Sequence, residues 1–435
     1  MRRCRSLLRL ALLLGAVAWA GSAAAEDPPV PPLVRLFAPL KEAMKPLPPF
    51  LRDTDLQVHF RSYYLTRENP DGTENEAWAF GGWLGYRSGW LLDTFGIGAT
   101  LYGSAPLYAP DDKDGTLLLQ AGQEGYYVLG EAYAALRYGR LALLKGYRQE
   151  VTQGYINLED NRMTPNTFEG ITLGGRVGPV VYLGGYLWKM KSRNADTFRY
   201  MSEEAGVAGS EDGVALFGVR FAPLPGLQID LSEQYGVNTF NTVFADVDYV
   251  QALGKELTLI LRGQYSDQRA VGDARLTSSA FKGWETYNVS AKAGLAYRDL
   301  TVTVGGSLTG PGHTVQAPWG KFPGYLSLIQ EEFQRANEKA VLVGAAYDFS
   351  RLITPGFSAF VNVAWGWDAI DPKTRKAAPD QTEYDFTVDY RPGWLKPAVF
   401  QGMWLRVQGI ILDQQGADQL GWQVRVILSW ERDLL

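Results

Sequence analysis

The amino-acid sequence predicts an all-β protein, a transmembrane antiparallel up-and-down β-barrel of about eighteen strands, and three observations predict it. Segments of about ten residues alternate apolar and polar side chains along most of the chain, the length a tilted membrane strand needs. The connections between them run alternately long and short, as the outer loops and periplasmic turns of a bacterial barrel do. The chain opens with a secretory signal, and no later apolar run is long enough for a transmembrane helix.

The signal comes first. Arg2, Arg3, Arg5 and Arg9 precede an apolar stretch from Leu10 to Ala20 and then Ala23, Ala24 and Ala25, an A-x-A-like site that places the start of the mature chain at Glu26. Cleavage takes away four arginines and no acid, so the net charge goes from −5 to −9, which argues against a nucleic-acid partner. Cys4, the single cysteine, lies in the removed segment without a lipobox, which excludes disulfides and argues against a lipid anchor. Residues 26–54 read as a proline-rich periplasmic leader with one short helical turn around Leu40 to Met44, because repeated prolines forbid a long helix or a central strand. The barrel takes residues 55–435.

Strands are expected near 55–66, 76–89, 92–104, 129–139, 140–149, 167–178, 179–190, 213–222, 226–237, 240–251, 256–266, 285–297, 300–309, 340–350, 356–366, 381–391, 402–413 and 420–431. Tight turns are expected at Gly89, Gly139, Gly178-Pro179, Gly254 and Arg298-Asp299, with long loops such as 105–128, 150–166, 191–212 and 310–339 between the other pairs. A short link at Asn238 interrupts the long series. The segment LSLIQEEFQRANEKA from Leu326 is the best candidate for a helix between strands.

The closing strand GWQVRVILSW shows what the two faces are for. Trp422, Val424, Val426, Leu428 and Trp430 share one face, and Gln423, Arg425, Ile427 and Ser429 share the other. The two tryptophans stand about 26 Å apart along the strand, roughly 20 Å along the membrane normal after tilting, close to the height of a lipid-facing band between aromatic girdles. Arg425 then faces water, which a barrel of this size admits as a channel.

Several stretches resemble the OprD-type outer-membrane porins: RSYYL from Arg61 to Leu65, RSG followed by FGIGATLYGSAPL, NRMTPNTFEG from Asn161 to Gly170, FPGYLSLIQEEFQRANEKA from Phe322 to Ala340, and the closing WQVRVILSW. The resemblance spans the mature chain. It implies an eighteen-stranded, substrate-selective diffusion channel in the outer membrane of a Gram-negative bacterium, passing small charged or zwitterionic solutes such as carboxylates, amino acids and small peptides. It also implies that the third and seventh outer loops, carried here by 150–165 and 310–339, fold inward to narrow the pore. Asp160, Asn161, Arg162 and Thr164 belong to the first of these, and Tyr325, Ser327, Glu331 and Glu332 to the second. Within NRMTPNTFEG the side chains of Asn161, Arg162 and Thr164 are read as pinning the loop to the wall. One departure is the ending ERDLL, where family barrels commonly close on an aromatic residue read by the barrel assembly machinery.

Strand parity places Arg61, Arg220, Arg262, Lys292, Arg406 and Arg425 in the lumen. Closure makes the first strand a neighbour of the last, so Arg61, Arg406 and Arg425 are expected to form a basic strip at mid-height. Asp230, Asp246, Asp248, Glu383, Asp385 and Asp389, with Asp160, Glu331 and Glu332, are the candidates for an acidic wall facing it. Opposed charges across a low-dielectric gap would draw in and orient a charged solute. The expected partners are outer-membrane lipid, lipopolysaccharide and the solutes, in a monomer or trimer, with no cofactor and no metal. Asp111, Asp112 and Asp114 lack the spacing of a calcium loop and read as a solvated tip. An outer-membrane barrel enzyme is the first rival, but the two histidines, His59 and His313, belong to no nucleophile motif. A plugged receptor is disfavoured by the short leader, and a soluble secreted ligand-binding β-protein is the remaining alternative.

Overall fold

A computed structural model of the chain describes residues 37–276, 283–393 and 400–435. The expected signal at 1–25 and the leader up to residue 36 lie outside the described residues. Two short helices, α1 (Ala38–Ala43) and α2 (Pro49–Arg52), lead into the barrel.

Among the described residues the alternating segments form eighteen long antiparallel strands. They are β1 (Asp55–Glu68), β2 (Glu74–Arg87), β3 (Phe95–Tyr108), β4 (Tyr126–Tyr138), β5 (Ala142–Gln149), β6 (Thr167–Val177), β7 (Val180–Lys191), β8 (Val214–Leu224) and β9 (Leu227–Gly236). The second half is β10 (Phe240–Ala252), β11 (Leu257–Ala270), β12 (Glu285–Tyr297), β13 (Leu300–Thr309), β14 (Lys339–Asp348), β15 (Phe357–Trp367), β16 (Gln381–Tyr390), β17 (Met403–Gln414) and β18 (Gly421–Asp433). A two-residue strand, Arg199–Tyr200, extends the end of β7. Each strand pairs with its neighbours in sequence, and β1 pairs with β18 from Gln57–Asp433 to Glu68–Trp422. Closure leaves no open edge, which in hydrocarbon would cost several kcal/mol for each unpaired backbone group.

The faces divide as strand parity requires. On β18, Trp422, Val426 and Leu428 are exposed while Gln423, Arg425, Ile427 and Ser429 are buried. Outside the seam, Trp430 stacks on Phe60 at 5.8 Å and Phe60 stacks on Phe80 at 5.8 Å, an aromatic row across β18, β1 and β2. Phe37, the start of β1, Leu434 and the short turns share one end of the barrel.

Two expectations are corrected. The β2–β3 hairpin turns at Leu92 and Asp93, both with positive φ (52° and 56°), instead of at Gly89, so β3 begins at Phe95. The segment from Leu326 is not a helix. Its backbone polar groups find partners on the wall instead of four residues back, as Gln330 and Glu331 N–H donate to the Glu383 carboxylate at 2.8 and 2.6 Å. Its apolar residues Leu326, Leu328 and Phe333 are buried with Leu342 and Ala364 of β14 and β15.

Candidate functional site

The connection 150–166 crosses the interior. Val151 and Ile156 are buried in an apolar cluster with Phe168, Leu216 and Phe240, which holds the root of the loop. Gly154, with a φ of 60°, lies so close to β9 that a Cβ there would meet Ser232 and Gln234. Tyr155 donates its hydroxyl to Ser266 Oγ on β11 at 2.8 Å. The far end of the loop reaches β1, where Arg61 donates to both oxygens of Asp160 at 2.8 and 3.1 Å and to the Arg162 carbonyl. One loop therefore touches walls on opposite sides of the barrel.

The side chains of NRMTPNTFEG serve mainly as struts. Arg162 Nε donates to the Thr116 carbonyl at 2.8 Å, and burial pulls its guanidinium well below its ordinary pKa. Thr164 shares a 2.9 Å hydrogen bond with the Tyr126 hydroxyl and donates to the Arg193 carbonyl at 3.0 Å. Asn161 Oδ1 accepts from Arg193 at 2.7 Å.

The connection 310–338 enters from the other side and meets the first loop. Asn157 Nδ2 donates to the Lys321 carbonyl and Lys321 N–H donates to Asn157 Oδ1, both at 2.9 Å. Tyr325 donates its hydroxyl to Asp246 on β10 at 3.0 Å, and Ser327 is buried within the loop. At the opposite wall Glu383 takes the two N–H groups described above. Burial first, and Glu383 second, push the Glu331 carboxyl up to about 7; burial raises Glu332.

Between the loops and the β17–β18–β1 wall lies a pocket lined by Arg61, Lys321, Arg406 and Arg425, with Asp160 as its carboxylate. The structure brings the three arginines of the expected strip together, buried on neighbouring strands. The register staggers them: Arg406 pairs with Ile427, which lies opposite Tyr63, while Arg425 lies opposite Leu65, two residues above, and Arg61 stands two residues below. Tyr63, Leu328, Ile329, Trp404 and Ile427 complete the lining with apolar surface.

The charges are spent unequally. Arg406 makes a bidentate pair with Asp389 at 2.7 and 2.8 Å and lies 4.3 Å from the Trp404 ring, whose N–H also donates to Asp389 at 3.0 Å. Arg61 is paired with Asp160. Arg425 takes neutral acceptors: the Ile329 carbonyl at 3.1 Å and, with its amide turned to present oxygen, Gln423 at 2.7 Å.

The acids expected as a facing wall are distributed differently. Asp389 stands beside Arg406 on the adjacent strand, because both lie on one rung of the β16–β17 ladder. Asp230 pairs with Arg220 near the short-turn end. Asp248 pairs with Arg262 at 2.7 Å, on the rung that Arg262 shares with Lys292. Asp246 accepts from Gln264 and Tyr325. Asp385 is buried next to Glu383 on the interior face of β16. Sequence reasoning missed Lys321 and Trp404. Lys321 lies in an irregular loop with no periodicity to orient it, and burial lowers its pKa. Trp404 shares the parity of Arg406, the one signal that could have found it. Among the described residues no group of three or more His, Cys, Asp or Glu side chains is placed to hold a metal ion.

The model for the outer membrane porin, OprD family, matches residues 48–432. Among solved structures the barrel is similar to Pseudomonas aeruginosa OccK9 (OpdG), with 20% identity, 89% of this chain and 100% of that chain covered, and a TM-score of 0.79. It is similar also to Pseudomonas aeruginosa OpdK with vanillate (20% identity, 88% and 100% covered, TM-score 0.76) and to a BenF-like porin from Pseudomonas fluorescens Pf-5 (19% identity, 88% and 100% covered, TM-score 0.77). No curated protein sequence matches the chain. The closed eighteen-strand barrel and the match across nearly all of its length place the protein in the outer membrane of a Gram-negative bacterium, and the chain belongs to the OprD family of outer membrane porins.

Proposed function

We propose that this porin is a selective diffusion channel for small solutes bearing a carboxylate, drawn to the pocket between the two crossing loops. The observation that carries the reading is the charge of that lining, four cationic side chains against the single carboxylate of Asp160. Arg61 and Arg406 are ion-paired with Asp160 and Asp389, and Lys321 lies in the field of Glu332. The positive potential offered to a passing anion therefore comes chiefly from Arg425, whose hydrogen bonds are to neutral groups and whose neighbouring acids are Glu383 and Asp385. Low-dielectric walls focus that potential onto a passing anion. The hydrogen bonds Arg425 already makes are to neutral groups, so a solute carboxylate can add to them without displacing a counter-ion. Tyr63, Trp404, Leu328 and Ile329 give an apolar part of the solute a surface to slide along. Binding must stay weak enough for release, which a carboxylate shared among several donors allows.

The OpdK structure carries vanillate, an aromatic carboxylate, and that supports the same class here. The channel would work among lipid and lipopolysaccharide after delivery by the barrel assembly machinery. Porins are channels rather than enzymes, which supports a channel over the barrel enzyme and the soluble binding protein. Swelling of proteoliposomes tests the reading. Small carboxylates should enter faster than their uncharged amides of equal size, and equal rates for the two would overturn it.

A further inference from the structure

We infer that the described N-terminal segment, from Phe37 on, and the β2–β3 turn form an amphipathic foot seated in the interfacial layer of the phospholipid leaflet on the periplasmic side. Short turns of such barrels face the periplasm, and Phe37, the start of β1 and Leu434 lie at the same end. The foot is tied at both ends to the barrel. Phe37 N–H donates to the Leu434 carbonyl at 2.9 Å, and Gly89 N–H donates to the Phe50 carbonyl at 2.9 Å. A Cβ on Gly89 would run into the Pro49 carbonyl, so α2 sits directly on the connection that follows β2.

The foot lies against the outer surface. Phe50 of α2 stacks on Phe95 at 6.4 Å, and Phe95 shares its strand face with Ile97 and Leu101, which are exposed toward lipid. It therefore continues the hydrocarbon-facing band. Around that contact Phe37, Leu40, Leu51 and Leu91 are all exposed.

Leu92 is the decisive residue. It is 88% exposed at the turn tip, and both it and Asp93 hold positive φ, a turn for which asparagine and glycine are the ordinary choices. A leucine there serves neither the backbone conformation nor the packing of the barrel. It suits a surface that rewards an apolar side chain pointing away from the protein, as an interfacial lipid leaflet does. The β14–β15 turn, with Leu352 and Ile353 exposed, puts a second pair of such side chains at the same end.

Nitroxide labels on Leu40→Cys and Leu92→Cys, in the mature protein reconstituted in phospholipid bilayers, test the inference. Ile97→Cys serves as the lipid reference and Asp112→Cys as the aqueous one. Collision with oxygen relative to a water-soluble nickel chelate should be at least about threefold higher at 40 and 92 than at 112, in the direction of 97. Values at 40 and 92 equal to that at 112, with 97 reading apolar, would overturn the foot and leave the channel untouched. An aqueous signal at 97 as well would overturn it too, by removing the lipid surface it continues.

Discussion

Replacing Arg425 with alanine takes out of the pocket one charge whose hydrogen bonds are to neutral groups. Through an effective dielectric of about 40 and over about 8 Å, a unit charge is worth about 1 kcal/mol to a passing monovalent anion. That is about a fivefold change in its local occupancy. The reversal potential across a planar bilayer under a salt gradient measures it: cation occupancy rises by the factor that anion occupancy falls, so at low salt the anion-to-cation permeability ratio should fall by up to about 25-fold, less as screening sets in near about 0.1 M. At about 1 M, where the Debye length is about 3 Å, the effect should nearly vanish. Arg425→Lys keeps the charge while losing the planar fork that holds Ile329 and Gln423, so it should retain most of the selectivity. Arg220→Ala, at the short-turn end and already paired with Asp230, should change the ratio far less. An Arg425→Ala channel with unaltered selectivity at low salt, or a loss equally large at high salt, would refute the electrostatic argument.

Asp389→Ala leaves the Arg406 guanidinium buried without its bidentate partner, and such a break costs about 3 kcal/mol; a lower unfolding midpoint in detergent, with higher anion selectivity in whatever folds, is the expected result. Glu383→Ala strips the acceptor from two N–H groups of the 310–338 loop, each worth about 1–3 kcal/mol, and single-channel records should become noisier with larger conductance steps. The third concerns pH. Glu150 and Glu331 have carboxyls pushed up to about 7 from an ordinary 4.5, by burial first and then by Glu131 and Glu383 respectively. A raised carboxyl pKa means the folded loops hold the proton more tightly, so this contribution to stability is complete below pH 4.5 and lost as pH rises through about 7. Across the upper part of that window the two side chains become negative, and anion selectivity should fall between about pH 6 and pH 8. The double variant Glu150→Gln, Glu331→Gln should flatten that profile.

The barrel was legible because lipid imposes its own grammar on every strand. An outward polar residue is costly and an unpaired edge costlier, so a two-residue period recurs until the sheet closes. The expected ranges for β12 and β13 coincide with the observed ones, Glu285–Tyr297 and Leu300–Thr309, and most others differ by a few residues. The turn at Leu92 was misplaced because Leu-Asp carries none of the chemistry that marks a two-residue hairpin, whereas Gly89 does; that glycine is needed for α2 instead. The Leu326 segment was misread for a related reason. Apolar residues at mixed spacing imitate a helix when they answer to two different walls.

Parity could say which arginines face inward, but not which of them act on a solute. Arg406 and Asp389 share a rung only through the register of β16 and β17, which a shift of two residues would change without altering either strand's pattern. Arg61 meets Asp160 across 99 residues of chain because a loop anchored on β9 and β11 happens to end there. Composition alone would count three equal cations on this wall. Pairing leaves Arg425 as the one whose hydrogen bonds are to neutral groups, and the same reasoning shows Asp230 and Asp248 matched by Arg220 and Arg262 while Asp246, like Arg425, is hydrogen-bonded to neutral groups. On the proposed reading, the selectivity of the channel depends on the partners that the two crossing loops and the strand register deliver, so substitutions at Asp160 or Asp389 should tune it as strongly as substitutions of the arginines themselves.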